Sequence, residues 1–466
     1  MSSGRSHKQL VVINVVGLTY DMIGRNTPNI QRLMSDGFGQ PMDTVMPAVT
    51  CSVQASMLTG RMPSETGIVG NGWYSRELAE VMFWKQSNHL VAGPKVFDSA
   101  KQRDVSHTTA KMFWWYNMYS GADWSVTPRP SYPADGRKIP DSYSEPAGLR
   151  DELQASLGRF PLFNFWGPTA DIKSSAWIAD ASVRMLQAHD PSLLLVYLPH
   201  LDYNLQRLGP GDPAIDEDVR LVDKEAGKLI DSAQKNGADV ILLSEYGITE
   251  VSKPIHINRA LRNAGLLSTR LEPLGWETLD CGASKAFAVS DHQLAHVYVN
   301  DQSRLPDVRQ VVEKLDGVEM VLDREQQSDF GLDHERSGDL VAISGQDAWF
   351  TYYFWNDDAV APDYARTVDI HRKPGYDPVE LFVDPQIRFP KLKIARRLAQ
   401  KMCGFRYYMD MIGLDASIVK GSHGRLPDPN QMESQAPVFI CSSTSVQQDS
   451  IQACDVHDAI LKLQFG

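Results

Sequence analysis

Short apolar runs that turn abruptly polar recur along the chain. Leu10–Leu18 is the first, and Ser192–Leu198 leads into Pro199-His200-Leu201-Asp202. Asp239–Leu243 leads into Ser244-Glu245-Tyr246-Gly247, and Pro437–Cys441 follows Gly421-Ser422-His423-Gly424. Runs without polar alternation are strands covered on both faces. Between them lie helical patterns at Thr27–Asp36, Ala176–Ala188 and Ile215–Lys235. Strands alternating with helices predict an α/β fold built on a doubly wound, mostly parallel sheet. Ligands in such sheets bind beyond the carboxyl ends of the strands, and the polar residues just named fall there.

The remaining sequence is less regular. Residues 100–165 are rich in Trp, Tyr, Pro and Ser and read as an aromatic insertion; residues 270–415 read as a cap-like insertion, with a strand at Ala295–Val299 and an aromatic run at Trp349–Trp355. No internal repeat, low-complexity tract or linker divides the chain, so residues 1–466 read as one α/β domain whose insertions roof its active edge.

Composition narrows the function. The 466 residues are 42% hydrophobic and 22% charged, which excludes wholesale disorder and fibrous or collagen-like structure. A formal net charge of −12 argues against nucleic-acid packaging, which calls for a basic surface. The five cysteines are odd in number, widely spaced and without a CxxC pair, so neither a disulfide scaffold nor a Cys-ligated zinc site is expected. Arg5, His7 and Lys8 before the first apolar run imitate a signal peptide. That run, however, carries Asn14 and Gly17 and has no small-residue cleavage site. No stretch reaches the roughly 18 apolar residues of a membrane helix. These readings predict a soluble, cytoplasmic protein without a membrane span, and leave the oligomeric state open.

The segment from Met46 to Gly60 reads as a loop running into a helix that starts near Thr50. Free N–H groups and the positive end of the helix dipole would face an anion there. A hydroxyl at that point can attack phosphorus, or it can simply cap the helix. The continuation Pro63-Ser64-Glu65-Thr66-Gly67-Ile68-Val69-Gly70-Asn71-Gly72-Trp73-Tyr74 bears on this choice. With Thr50 it resembles the nucleotide pyrophosphatase/phosphodiesterase branch of the alkaline phosphatase superfamily, which includes phosphonoacetate hydrolase. The resemblance runs from Val11 through Leu266 and returns at 418–441. It implies an alkaline-phosphatase-like core, Thr50 as nucleophile, and Asn71 as the amide that binds a phosphoryl oxygen.

The resemblance also implies two metal ions held by Asp and His at strand ends, one activating the nucleophile and one neutralising the transferring group. Here the pattern breaks. The Asp-Gly that ends the family's first strand is Val16-Gly17. The Asp-x-x-Gly-His segment is Asp202-Tyr203-Asn204-Leu205-Gln206, and Ser-Asp-His-Gly is Ser244-Glu245-Tyr246-Gly247. The last histidine is kept as His423. Valine binds no metal, and glutamine is a weak ligand beside imidazole. Asp202, His423 and Glu245 therefore remain as candidate ligands for one or two divalent ions, zinc foremost and manganese, iron or magnesium as alternatives. Replacement ligands are sought at His292 in Asp291-His292 and at His371 in Asp369-Ile370-His371, with His200 a weaker candidate; Arg372 and Lys373 are candidates for binding a substrate phosphate or carboxylate.

The expectation is a metal-dependent phosphohydrolase. It would act on a small phosphodiester, pyrophosphate, phosphonate or phosphomonoester through a phospho-threonine intermediate. The alternatives are a binding protein on a degenerate hydrolase core, and a phosphotransferase or phosphomutase.

Overall fold

The computed structural model describes residues 7–134 and 138–466. Its centre is β1 (Leu10–Val15), every residue of which is buried. A strand covered on both faces and both edges leaves no backbone group for solvent, so its neighbours must complete the ladder. These are β6 (Leu193–Leu198) and β7 (Asp239–Leu243), and the sheet is extended by β2 (Phe38–Pro41), β3 (Thr109–Met112), β4 (Trp124–Pro128), β5 (Ser142–Glu145) and, later in the chain, Val438–Cys441. The last pairs antiparallel with β2 and β7. Strands β7, β1, β6, β3 and β4 run parallel in that order, and β5 closes the far edge antiparallel.

Helices cover both faces, as parallel crossovers require. Those that matter here are α1 (Pro28–Asp36), α2 (Thr50–Thr59), α3 (Ile172–His189), α4 (His200–Leu208) and α5 (Ile215–Lys235). The long amphipathic α5 buries Val219, Val222, Ala226, Leu229 and Ile230. The strands and helices therefore fall where apolar runs and helical periodicity place them, with small shifts at the ends.

The 100–165 stretch departs from its reading as an insertion. It supplies β3, β4 and β5, three strands of the main sheet. Several of its aromatic residues are core: Phe113 packs on Phe160 and Trp177, with ring centroids 4.7 and 6.0 Å away. Aromatic density masked these strands because β3 and β4 are only four and five residues long.

Within 270–415 a second, antiparallel sheet forms from β8 (Ala286–Asp291), β9 (Leu294–Val299), β10 (Val318–Leu322) and β11 (Leu340–Ser344), in the order β8-β9-β11-β10. The Val438–Cys441 strand is β12. Strand β8 joins β9 through a two-residue turn, His292-Gln293. His292 takes φ +63° there, a conformation that favours glycine. Trp349–Trp355 is largely irregular and buried in the second core. No helix among the described residues is long and apolar enough to cross a membrane.

Leu195, fully buried in β6, lies opposite Val12 and Lys111 on the two neighbouring strands. Leu195→Ala is expected to cost about 2–5 kcal/mol of unfolding free energy while leaving the far-UV circular dichroism native. Chemical denaturation measures it.

Candidate functional site

The carboxyl ends of β1, β6 and β7 converge on the start of α2. Val49, extended, is the cap residue of α2, and its side chain has no capping bond to offer. Thr50 is thus the first helical residue, and its hydroxyl is not used as a cap. Ser52 ties the loop instead, its hydroxyl donating to the carbonyls of Pro47 (2.6 Å) and Val49 (3.0 Å). Gly424 and His423 hold the same loop from the other side: the Ala48 N–H donates to the Gly424 carbonyl at 2.9 Å, and His423 Nδ1 bonds the Ala48 carbonyl at 2.7 Å.

The Thr50 hydroxyl, 4% exposed, lies 3.2 Å from the Tyr246 phenol. Tyr246 in turn donates to Asp202 Oδ1 at 3.3 Å. Gln206 Nε2 donates to Asp202 Oδ2 at 2.8 Å, and Tyr376 donates to Gln206 Oε1 at 2.9 Å. A polar chain therefore runs from Thr50 through Tyr246, Asp202 and Gln206 to Tyr376. Tyr376 is supplied from the 270–415 stretch, and nothing in the local sequence marked it.

Glu245 sits beside this chain, fully buried. Its Oε1 accepts from Asn14 Nδ2 at 2.6 Å and Gln54 Nε2 at 2.5 Å. Its Oε2 has no bond of full geometry, and the Thr50 hydroxyl is close enough to ease its ionisation. Burial pushes the Glu245 carboxyl up to about 8, with Gln54, Asn14 and Thr50 opposing. Burial likewise pushes Asp202 up to about 7 against the donors Gln206 and Tyr246. Neither Asn14, noted only as a break in the first apolar run, nor Gln54 was read from the sequence as a site residue. A polar residue in the middle of an otherwise apolar strand was the available signal for Asn14.

Asn71 is locked from both ends. Its Oδ1 accepts from the Cys51 N–H at 3.0 Å, while its Nδ2 and N–H donate to Asp291 at 3.0 and 2.7 Å. Burial raises Asp291 to about 7, with the Asn71 bonds opposing. Asp291, read from the sequence as half of a substitute ligand doublet, thus positions Asn71.

The remaining candidates divide. His423 Nε2 approaches Asp202 Oδ1 to 3.9 Å. Tyr246 stacks flat on the His423 ring, centroids 3.5 Å apart and planes 8° from parallel. His292 lies on the other neighbours, 3.7 Å from His423 and 3.6 Å from Tyr376. Burial drives His423 down to about 3 and His292 well below its ordinary value. His371 is exposed, beside the Phe83 backbone. Arg372 turns outward to Asp363 (2.6 and 3.1 Å). Lys373, buried, is held by Asp377 at 2.7 Å and Glu380 at 2.6 Å. Both cations are spent on carboxylates of their own segment. His200 faces Asp218 at 3.0 Å. An open cleft of about 730 Å³, edged by Asp21, Arg25, Asp212 and Gln435, lies nearby without reaching Thr50.

Comparison with known proteins sets these residues in context. Residues 10–377 match the family described as type I phosphodiesterase / nucleotide pyrophosphatase. The chain belongs to that family. A pyrophosphatase/phosphodiesterase of Schizosaccharomyces pombe is 24% identical over 252 residues, 52% of this chain and 45% of that protein. The chain thus aligns with under half the length of that relative. Phosphonoacetate hydrolase from Sinorhizobium meliloti, solved with phosphonoformate, superposes with a TM-score of 0.62 at 15% identity, covering 98% of this chain and 95% of the other. An inactive form of murine ectonucleotide pyrophosphatase/phosphodiesterase 5, solved with AMP, gives 0.57 at 13% identity, covering 98% and 94%. The fold is therefore alkaline-phosphatase-like.

The family generally depends on divalent metal, and the residues present here do not fit its two-ion centre. Val16 is buried apolar core. Gln206 aims its N–H donor at Asp202. Each imidazole is covered on a face by a tyrosine, His423 by Tyr246 and His292 by Tyr376. Among the described residues, no group of three or more His, Cys, Asp or Glu is arranged to hold an ion. Of the two residues expected to supply a third ligand, His292 is brought against His423 but lies between that ring and Tyr376, and His371 is on the surface.

Stability should report these buried charges. Glu245 rises from 4.5 to about 8, and Asp202 and Asp291 from 3.8 to about 7. Their protonated forms favour folding, so that stabilisation is complete below about pH 4 and is lost as pH climbs through 7–8. His423, lowered from 6.5 to about 3, stabilises above 6.5 and loses that contribution on acidification. The two trends oppose each other in mild acid. Above about pH 6.5 the carboxylates go on losing stabilisation, while Lys111, lowered by burial from 10.5 to about 7, gains it above about 7. The thermal midpoint of the wild type relative to that of Glu245→Gln is therefore expected to decline between about pH 6.5 and 8.5, because Lys111 is common to both. A difference that is level across this window contradicts the assignment.

Proposed function

We propose that this protein hydrolyses a small phosphorylated or phosphonate substrate by in-line attack of Thr50, through a covalent phospho-threonine intermediate. The observation that carries this is the setting of the Thr50 hydroxyl. It opens a buried helix, is not spent on capping, and lies between the Tyr246 phenol and the free oxygen of Glu245.

Glu245 serves as the base. Asn14 and Gln54 fix its Oε1, leaving Oε2 to take the Thr50 proton. As the Thr50 oxygen bonds to phosphorus, the bond to the leaving group breaks and that group departs, taking a proton from solvent. Water then attacks the phospho-threonine, releasing its proton to solvent, and Glu245 returns its own proton to the Thr50 oxygen. A base that ionises near neutrality is matched to this exchange. The positive end of α2 and the second N–H of the Asn71 amide stabilise charge on the phosphoryl oxygens. Asp291 keeps that amide in place. In the family at large divalent ions activate the nucleophile; here a glutamate one methylene longer than the family's aspartate reaches it directly.

The binding-protein reading has its own support in the stack of Tyr246, His423, His292 and Tyr376, which fills the polar end of the sheet. Aryl phosphodiester, phosphomonoester, pyrophosphate and phosphonate assays separate the two. Wild-type turnover on any of them, abolished in Thr50→Ala and partly kept in Thr50→Ser, supports the hydrolase. Saturable binding without turnover supports the binder.

The rate should rise with pH through about 8, following Glu245, and Glu245→Gln should remove that limb with little change in KM. Asn71→Ala is expected to lose about 2–4 kcal/mol of transition-state stabilisation, the scale of a single oxyanion donor. An unchanged kcat/KM would leave Asn71 a turn residue.

A further inference from the structure

One surface feature is unrelated to the site. Helix α6 (Pro390–Met402) buries none of its residues. Its inner face, with Lys393 and Arg397, is clamped to Asp410 at 3.0 and 2.8 Å. Its outward face carries Leu392 (67% exposed), Leu398 (44%) and Met402 (87%), and Phe389 (61%) and Phe405 (69%) stand exposed at its two ends. Lys391 and Arg396 are exposed on the same outward side. The excursion is pinned at its base, where the Asp384 N–H donates to the Met411 carbonyl at 2.8 Å, and the Tyr408 hydroxyl is bonded to the Asp363 carbonyl.

The charge is as uneven as the exposure. From Pro385 to Met409 there are seven cations (Arg388, Lys391, Lys393, Arg396, Arg397, Lys401 and Arg406) and no acid, in a chain of net charge −12. An apolar stripe bordered by Lys and Arg is the pattern of helices that lie in a bilayer interface, where the apolar side chains enter the acyl boundary and the cations meet phosphate headgroups. We propose that α6 docks this protein on an anionic lipid surface, lying flat in the interface.

The alternatives fit the face less well. A nucleic acid would be met by outward cations, not by Leu392, Leu398 and Met402. A second copy docked face to face would set Lys391 and Arg396 against their own counterparts with no acid on that face to offset them. The proposal does not depend on the hydrolase reading.

The test is flotation of the full-length protein with vesicles of phosphatidylcholine alone or mixed with phosphatidylglycerol. The protein should float with the anionic vesicles and not the neutral ones, and the bound fraction should fall with added salt. The triple variant Leu392→Ser, Leu398→Ser, Met402→Ser and the double variant Lys391→Gln, Arg396→Gln should each weaken partitioning about tenfold or more. Because these side chains are exposed, both variants should keep the wild-type melting temperature. Equal flotation with neutral vesicles, no flotation, or wild-type partitioning by both variants overturns the proposal. So does a dimer in sedimentation that the triple variant abolishes, since the face would then be an interface between copies.

Discussion

Burying β1 on both faces and both edges is the constraint on which the molecule is built. Its backbone is saturated by β6 and β7, and its side chains are apolar from Leu10 to Val16 with the single exception of Asn14. Polar chemistry can leave such a sheet only where its strands end. Asp202, Glu245 and Tyr246 therefore appear immediately past β6 and β7, and α2 arrives at the same edge with Thr50 at its first turn. Asn14 is tolerated because it meets Glu245, and each partly satisfies the other.

The site is best understood as a set of compensations. Where the resemblance sets Val16 against an aspartate and Tyr246 against a histidine, the chain lacks donors that would gather cations. The carboxylates that remain are buried without that neutralisation, and their pKa values rise. Hydrogen bonds fill part of the gap: Gln206 and Tyr246 on Asp202, Asn14 and Gln54 on Glu245, and Asn71 on Asp291. Stacked aromatic and imidazole rings fill the space. These contacts leave the Thr50 hydroxyl beside Glu245, whose carboxyl burial pushes up to about 8.

The second sheet contributes more than cover. Its β8–β9 turn delivers Asp291 to Asn71 and His292 to the ring stack, and the chain beyond it delivers Tyr376 to Gln206. His292 accepts a left-handed backbone at a position that suits glycine, held by contacts on both sides of its ring. The outer reaches of the same stretch carry the basic, apolar α6. One insertion thereby shapes both the interior of the site and an exposed face.

The pattern of apolar runs and polar endings determined the parallel core by itself, because a buried strand has few ways to be written and its carboxyl end is where polarity returns. It also placed Thr50, Asp202, Glu245 and His423 near strand or helix ends, whereas Asn71 was singled out by the family resemblance alone. Tertiary structure alone decided what those residues do to one another. Whether Gln206 offers its oxygen or its amide, whether His292 points at an ion or lies flat on a ring, and whether Lys373 is free or paired are matters of side-chain direction. Gln206 is oriented by Asp202 one turn away and by Tyr376 170 residues away, His292 by His423 and Tyr376, and Lys373 by Asp377 and Glu380 of its own segment. The 100–165 strands escaped notice for a related reason: short strands take their identity from pairing, and β3, on which β4 and then β5 are laid, pairs with β6 some eighty residues downstream.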